Sequence, residues 1–169
     1  TTAQIRALTT VQISKLSAAQ FALLETRDIA ALSTAQVPSL STDAIVALTT
    51  AQAPALTSAA LNVLTSDQLA VLETRDLAAM SVTQVSQLST GQMVLLSTDQ
   101  MVAMTTAQVA GLNSDQLNSL ASDDLQALTT AQILALTTAQ MEDLFDTQLA
   151  LMETADIAVL TATQAVHLS

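Results

Sequence analysis

The chain has 169 residues, with 15 acids against four bases and a net charge of −11, a balance that opposes binding to phosphate backbones and anionic lipid head groups. Half of the residues are apolar, yet Phe21 and Phe145 are the only aromatics, which excludes the stacking platforms that bind single-stranded nucleic acid. No apolar run approaches the ~18 residues of a membrane span, and there is no cysteine, so neither membrane insertion nor a disulfide framework is expected.

The first element sets the pattern for the rest. Thr1-Thr2-Ala3-Gln4-Ile5-Arg6-Ala7-Leu8 opens a series of octads, numbered here from octad 1 (Thr1–Leu8) to octad 21 (Thr161–Leu168). Position eight is Leu or Met in every octad, and position five is apolar from Ile5 to Ala165. Strict repetition of this kind is the signature of a stacked repeat protein. The reading is one continuous array over residues 1–169, and Thr1, already in phase, suggests a segment of a longer array.

Positions five and eight lie three apart, on one face of a helix. One long helix fails on arithmetic, because the apolar face would drift by about 80° per octad, and coiled coils hold a seam only at other periods. Ser or Thr at position one followed three residues later by Gln, as in Thr129 and Gln132, is a capping box that starts a new helix. Each helix is then about six or seven residues long, too short to persist alone against the nucleation penalty, so stacking must hold it.

Further along the chain the octads separate into two kinds. Position four is Gln in every odd octad, and its six exceptions, Asp28, Ala44, Ala60, Asp76, Asp124 and Asp156, all fall in even ones. Position one admits Glu25, Glu73, Ala121 and Glu153 in even octads, with Phe145 the odd-octad exception, whereas position two admits Ala18, Val82, Asp146 and Ala162 only in odd octads. This alternation predicts odd helices capped at position one and even helices capped at position two. The predicted fold is all-α, a compact αα-solenoid of very short helices, with successive octads paired into antiparallel two-helix units. Pro38 and Pro54, at position six of octads 5 and 7, lack an amide hydrogen inside the helix, so those two are expected to be 3₁₀ or bent.

The candidates for chemistry are few. Thirteen of the 15 acids occupy positions one to four of their octads, where helix dipoles favour carboxylates. The exceptions are Glu142 and Asp143, which with Asp146, and with Asp123 and Asp124 upstream, form the densest acidic group. A divalent cation bridging them is weighed against a solvated patch, and the calcium-loop spacing is absent. Glu25-Thr26-Arg27-Asp28 and Glu73-Thr74-Arg75-Asp76 place Arg between acids, which predicts local surface ion pairs. His167 has no sequence-near acid, Cys or second His, so it is expected to be a bland exposed terminal residue. The six Met residues, at positions five or eight, are expected to replace Leu in the core. Rows of Thr suggest an ice-binding face, but the hydroxyls are expected to be engaged in capping.

With these residues in view, the Leu-Thr-Thr-Ala-Gln-Ile octads resemble the octapeptide repeat arrays of large bacterial secreted or cell-surface proteins. The resemblance covers all 21 octads. Many such arrays carry Pro after the capping Thr and Glu before Gln, where this chain has Thr and Ala. The resemblance implies a spacer, stalk or filament-forming segment outside the cell. The expectation is therefore a non-enzymatic structural repeat, an extracellular rod, with no catalytic, cofactor or metal site. It would self-associate end to end or side by side. The alternative is a solenoid module that presents a periodic surface to a protein partner.

Overall fold

A computed structural model describes residues 1–144 and 146–168. Phe145, read above as the odd-octad exception at position one, lies outside the described residues. Each octad contributes one helix: among the described residues 19 are α-helices of four to six residues, from Thr2–Ala7 to Ala162–Ala165, and two are 3₁₀. The two 3₁₀ segments are Val37–Ser39 and Ala53–Ala55, each with its proline in the first turn. The missing amide therefore falls where a helix start leaves amides unbonded anyway. No strand occurs among the described residues, and no helix among them is long and apolar enough to cross a membrane. The fold is an all-α solenoid of very short helices.

Where position eight closes the helix the corner is extended, as at Leu8, Leu40, Leu56, Met80 and Met104. Leu8 ends the first helix in extended conformation (φ −66°, ψ 132°), and Thr9 begins the next in another (φ −70°, ψ 162°). No described non-glycine residue has positive φ, so the helices stop without the left-handed residue that commonly closes them. Apolar side chains at positions five and eight then face inward. All position-five residues from Ile5 to Met141 are buried, as are all position-eight residues from Leu32 to Leu144. Each fully buried Leu, Ile or Met contributes roughly 1.5–3 kcal/mol, which supplies what a one-turn helix lacks by itself. Five of the six Met residues are buried in this core, and Met152 is half-buried.

The chain divides into two compact units, Thr1–Leu88 and Ser89–Ser169. Within the first unit, octads 1, 4, 7 and 10 pack in one column, octads 3, 6 and 9 in another, and octads 2 and 5 and octads 8 and 11 pack pairwise. Within the second, octad 12 packs on 15, 13 on 16, 14 on 17 and 17 on 20, and 18 on 21. Helices thus stack on the helix three octads away, so three octads make one turn.

Two expectations are corrected by this arrangement. The packing unit is a three-octad turn, not an antiparallel pair of octads. Two consecutive extended residues swing the next helix onto a new side instead of folding it back on its predecessor. The cap shift is absent too: even octads start from position one, with N-caps at Thr9, Glu25, Ser41, Thr57, Glu73, Ser89, Thr105, Ala121, Thr137 and Glu153. Backbone geometry sets the start even where the side chain cannot cap. At Glu25 the amides of Asp28 and Ile29 still bond the Glu25 carbonyl at 2.8 and 3.1 Å.

Candidate functional site

The position-four side chain carries the most information. Its first task is the one that the capping box requires. Gln12 Oε1 accepts the Thr9 amide at 2.9 Å while the Gln12 amide donates to Thr9 Oγ1 at 3.3 Å. The position-one hydroxyls are engaged in this way, and those at position two take no part.

The second task reaches across the turn. Gln36 Nε2 donates to the carbonyls of Ile5 and Leu8, both at 2.8 Å and respectively 31 and 28 residues back. Gln68 does the same to Val37 and Leu40 (2.9 and 2.8 Å), Gln132 to Met101 and Met104 (2.9 and 2.7 Å), and Gln140 to Val109 and Leu112 (3.0 and 2.8 Å). Gln52, Gln84 and Gln164 bond the position-eight carbonyls of Leu24, Leu56 and Leu136 at 2.7, 2.6 and 2.8 Å. The position-eight acceptors are carbonyls that a helix end leaves unpaired, whereas the position-five carbonyls also accept the position-eight amide, as Ile5 does from Leu8 at 3.2 Å. One amide therefore ties the start of its own helix to the end of a helix in the previous turn, start lying over start, so stacked helices run parallel.

A signal for this was present in the sequence. Position four holds 15 Gln, four Asp and two Ala but never Glu, although Glu serves equally well in a capping box. The absence of Glu fits a position where the amide serves as a donor as well as an acceptor wherever it is Gln.

At four steps the amide is replaced by a carboxyl. Asp28, Asp76, Asp124 and Asp156 are buried like the Gln residues they replace. Asp156 keeps the local task, Oδ2 accepting the Glu153 amide at 3.3 Å. Asp76 is fully buried and neither of its oxygens has a hydrogen-bond partner. Burial raises the Asp76 carboxyl above the usual carboxylate range; Arg75 opposes the rise and Glu73 adds to it. Burial also raises Asp124, with a further contribution from Asp123.

The acidic group at the C-terminal side is dispersed into separate contacts. His167 Nδ1 lies against the Glu142 carboxylate. Ser114 Oγ donates to Asp143 Oδ2, and Asn118 Nδ2 donates to the Asp143 carbonyl at 2.9 Å. Asp146 opens the helix Asp146–Leu149 and is exposed. Asp123 is exposed and Asp124 buried. Among the described residues no three acidic, His or Cys side chains converge as metal ligands would. The expectation that His167 has no acid beside it is corrected: three-octad stacking brings Glu142, 25 residues away, into contact. The ion pairs predicted in the Glu-Thr-Arg-Asp segments are present, Arg27 Nε to Glu25 at 2.5 Å and Arg75 to Glu73.

The outer surface is uneven. Exposed apolar side chains are scattered over it: Leu23 of octad 3 is 84% exposed, Val11 of octad 2 67% and Val46 of octad 6 42%.

Comparison with known proteins identifies the repeat itself. The ALTTAQ repeat family model matches residues 21–58 and 69–106, segments that begin six octads, or two turns, apart. These segments are ALTTAQ repeats, in agreement with the octapeptide reading of the sequence there. No curated protein and no solved structure matches the chain.

Proposed function

We propose that the chain is a non-enzymatic structural repeat, an extracellular spacer or self-associating segment of a bacterial surface or secreted protein. The observation that carries this is the amide ladder. Besides closing its own capping box, the position-four Gln is turned inward at Gln36, Gln68, Gln132 and Gln140, where it ties turn to turn and is not displayed to a ligand. Surface placement is supported by the absence of Cys, the single Lys and the abundance of Thr and Ser, which suit an array outside the cell. A second reading, docking of a protein partner, draws on the apolar side chains of octads 3 and 6, Leu23 and Val46.

The two readings separate when the chain is displayed on bacteria between a surface anchor and an epitope tag. A spacer predicts that removing one turn, Thr57–Met80, lowers antibody access to the tag, while Leu23→Ser with Val46→Ser leaves it unchanged. Unchanged access after the deletion would count against the spacer. A saturable loss of protein binding in the double variant would establish the docking reading in its place.

A further inference from the structure

We propose that Asp76 is a proton-operated clasp between turns: a carboxyl proton closes the joint that a Gln amide closes elsewhere, and loss of that proton releases it. The array is then tied more tightly in acid than at neutral pH. Such a clasp adds a response to the structural role proposed above and operates whatever the array spaces or binds.

The register of the amide ladder fixes what Asp76 faces. In the same unit, Gln68 Nε2 reaches the carbonyls of Val37 and Leu40, 31 and 28 residues back, and Gln84 reaches those of Ala53 and Leu56 by the same steps. From Asp76 these steps lead to Ile45 and Leu48, both buried. An ionised carboxylate has no hydrogen to give a carbonyl. The Asp76 side chain is fully buried, and neither of its oxygens has a hydrogen-bond partner. Buried acceptors set against acceptors destabilise the joint. Protonation turns one oxygen into a donor, so the neutral acid supplies one of the two bonds that Gln68 makes at its own joint.

Few charges surround this carboxyl. Within the first unit, the segment Ala53–Ala55 of octad 7 packs on the helix Thr74–Ala79, and neither octad 7 nor octad 11 has an ionisable residue. Octads 6 and 9 contribute Asp43 and Asp67, both exposed. In octad 10 itself, Arg75 is paired with Glu73 at the surface. Arg75 favours the ionised form, but burial outweighs it, and Glu73 acts in the same direction as burial.

The second unit repeats the arrangement at Asp124, which is also buried. The steps that Gln140 takes in that unit lead from Asp124 to Met93 and Leu96, again buried. Asp123 beside it adds to the effect of burial, while Asp99, Asp115 and Asp146 of octads 13, 15 and 19 are exposed. In each unit a Gln stands three octads from the carboxyl, Gln52 before Asp76 and Gln148 after Asp124. Joints that respond to pH are thus interleaved with joints that do not.

Amide hydrogen exchange on the full chain, from about pH 3 to about pH 7 and corrected for the intrinsic rate at each pH, tests this, with circular dichroism confirming the fold of each variant. Octad 10, tied through Asp76, is compared with octad 9, tied through Gln68. The folded chain holds the Asp76 proton more firmly than the unfolded chain does. The clasp is therefore complete below the ordinary value of 3.8 and is lost as pH rises through the folded value. In the wild-type chain the protection of octad 10 should fall at least about tenfold relative to octad 9 over this range, the change that one unit of pKa difference gives. Asp76→Asn, which donates at every pH, should hold the ratio constant, as should Asp76→Gln. Asp43→Asn, at an exposed carboxyl, should leave the wild-type fall in place. A constant ratio in the wild-type chain would overturn the clasp, as would a fall that persists in Asp76→Asn or disappears in Asp43→Asn.

Discussion

Replacing Gln68 by Glu isolates the cross-turn half of the position-four side chain. Gln68 is 2% exposed, accepts the Thr65 amide at 3.0 Å and donates to Val37 and Leu40 at 2.9 and 2.8 Å. Gln68→Glu keeps the acceptor and the chain length but turns lone pairs toward two carbonyl oxygens. Two donated bonds at about 1 kcal/mol each are lost, and a buried carbonyl left unpaired adds about 1–3 kcal/mol. The expected cost is therefore about 3–5 kcal/mol at pH 7. Gln4→Glu is the control. It changes the same box at an exposed side chain with no cross-turn bond, and it should stay within about 0.5 kcal/mol.

Urea unfolding followed by circular dichroism at pH 7 and at acid pH reads both. Inside the fold, the introduced carboxyl has its pKa raised above its unfolded value of about 4.3. Stability should then be recovered as pH falls below that value and lost as pH rises through the folded pKa. The protonated acid regains one donor, so recovery is partial. Equal losses in Gln68→Glu and Gln4→Glu would refute the ladder as a source of stability.

Other expectations follow from the same contacts. Asp76 has a raised folded pKa, so its favourable contribution is complete below the ordinary value near 3.8 and fades as pH rises. Asp76→Gln should accordingly stabilise the chain by about 1–3 kcal/mol at pH 7, a gain that shrinks in acid when thermal midpoints are compared. Phe21→Ala, at a side chain with 0% exposure, should cost about 3–5 kcal/mol, whereas Leu23→Ala two residues on, 84% exposed, should stay within about 0.5 kcal/mol; chemical denaturation distinguishes them. Gly91 sits in the first turn of the helix Thr90–Met93, where an added Cβ would meet only Ser89 Oγ at 4.0 Å. Gly91→Ala should thus raise stability by about 0.4–1 kcal/mol, read as a higher melting temperature.

What the sequence determined by itself is local. The octad, the restart of a helix at Thr9 or Ser17, the burial of positions five and eight and the 3₁₀ segments at Pro38 and Pro54 all follow from residues within one octad of one another. Their causes, capping, helical spacing and a missing amide hydrogen, act over that range. What the tertiary structure decided is which octads meet. The two extended residues at each corner set how far the chain turns, and a small difference there separates a two-octad hairpin from a three-octad turn. The alternation of Gln and Asp from octad to octad carries no information about that angle. Only once octad 5 lies over octad 2 does Gln36 face the carbonyl of Leu8. The same stacking sets Glu142 beside His167. Spacing along the chain does not reveal that contact, because side chains three octads apart come together only through the accumulated turns of the backbone between them.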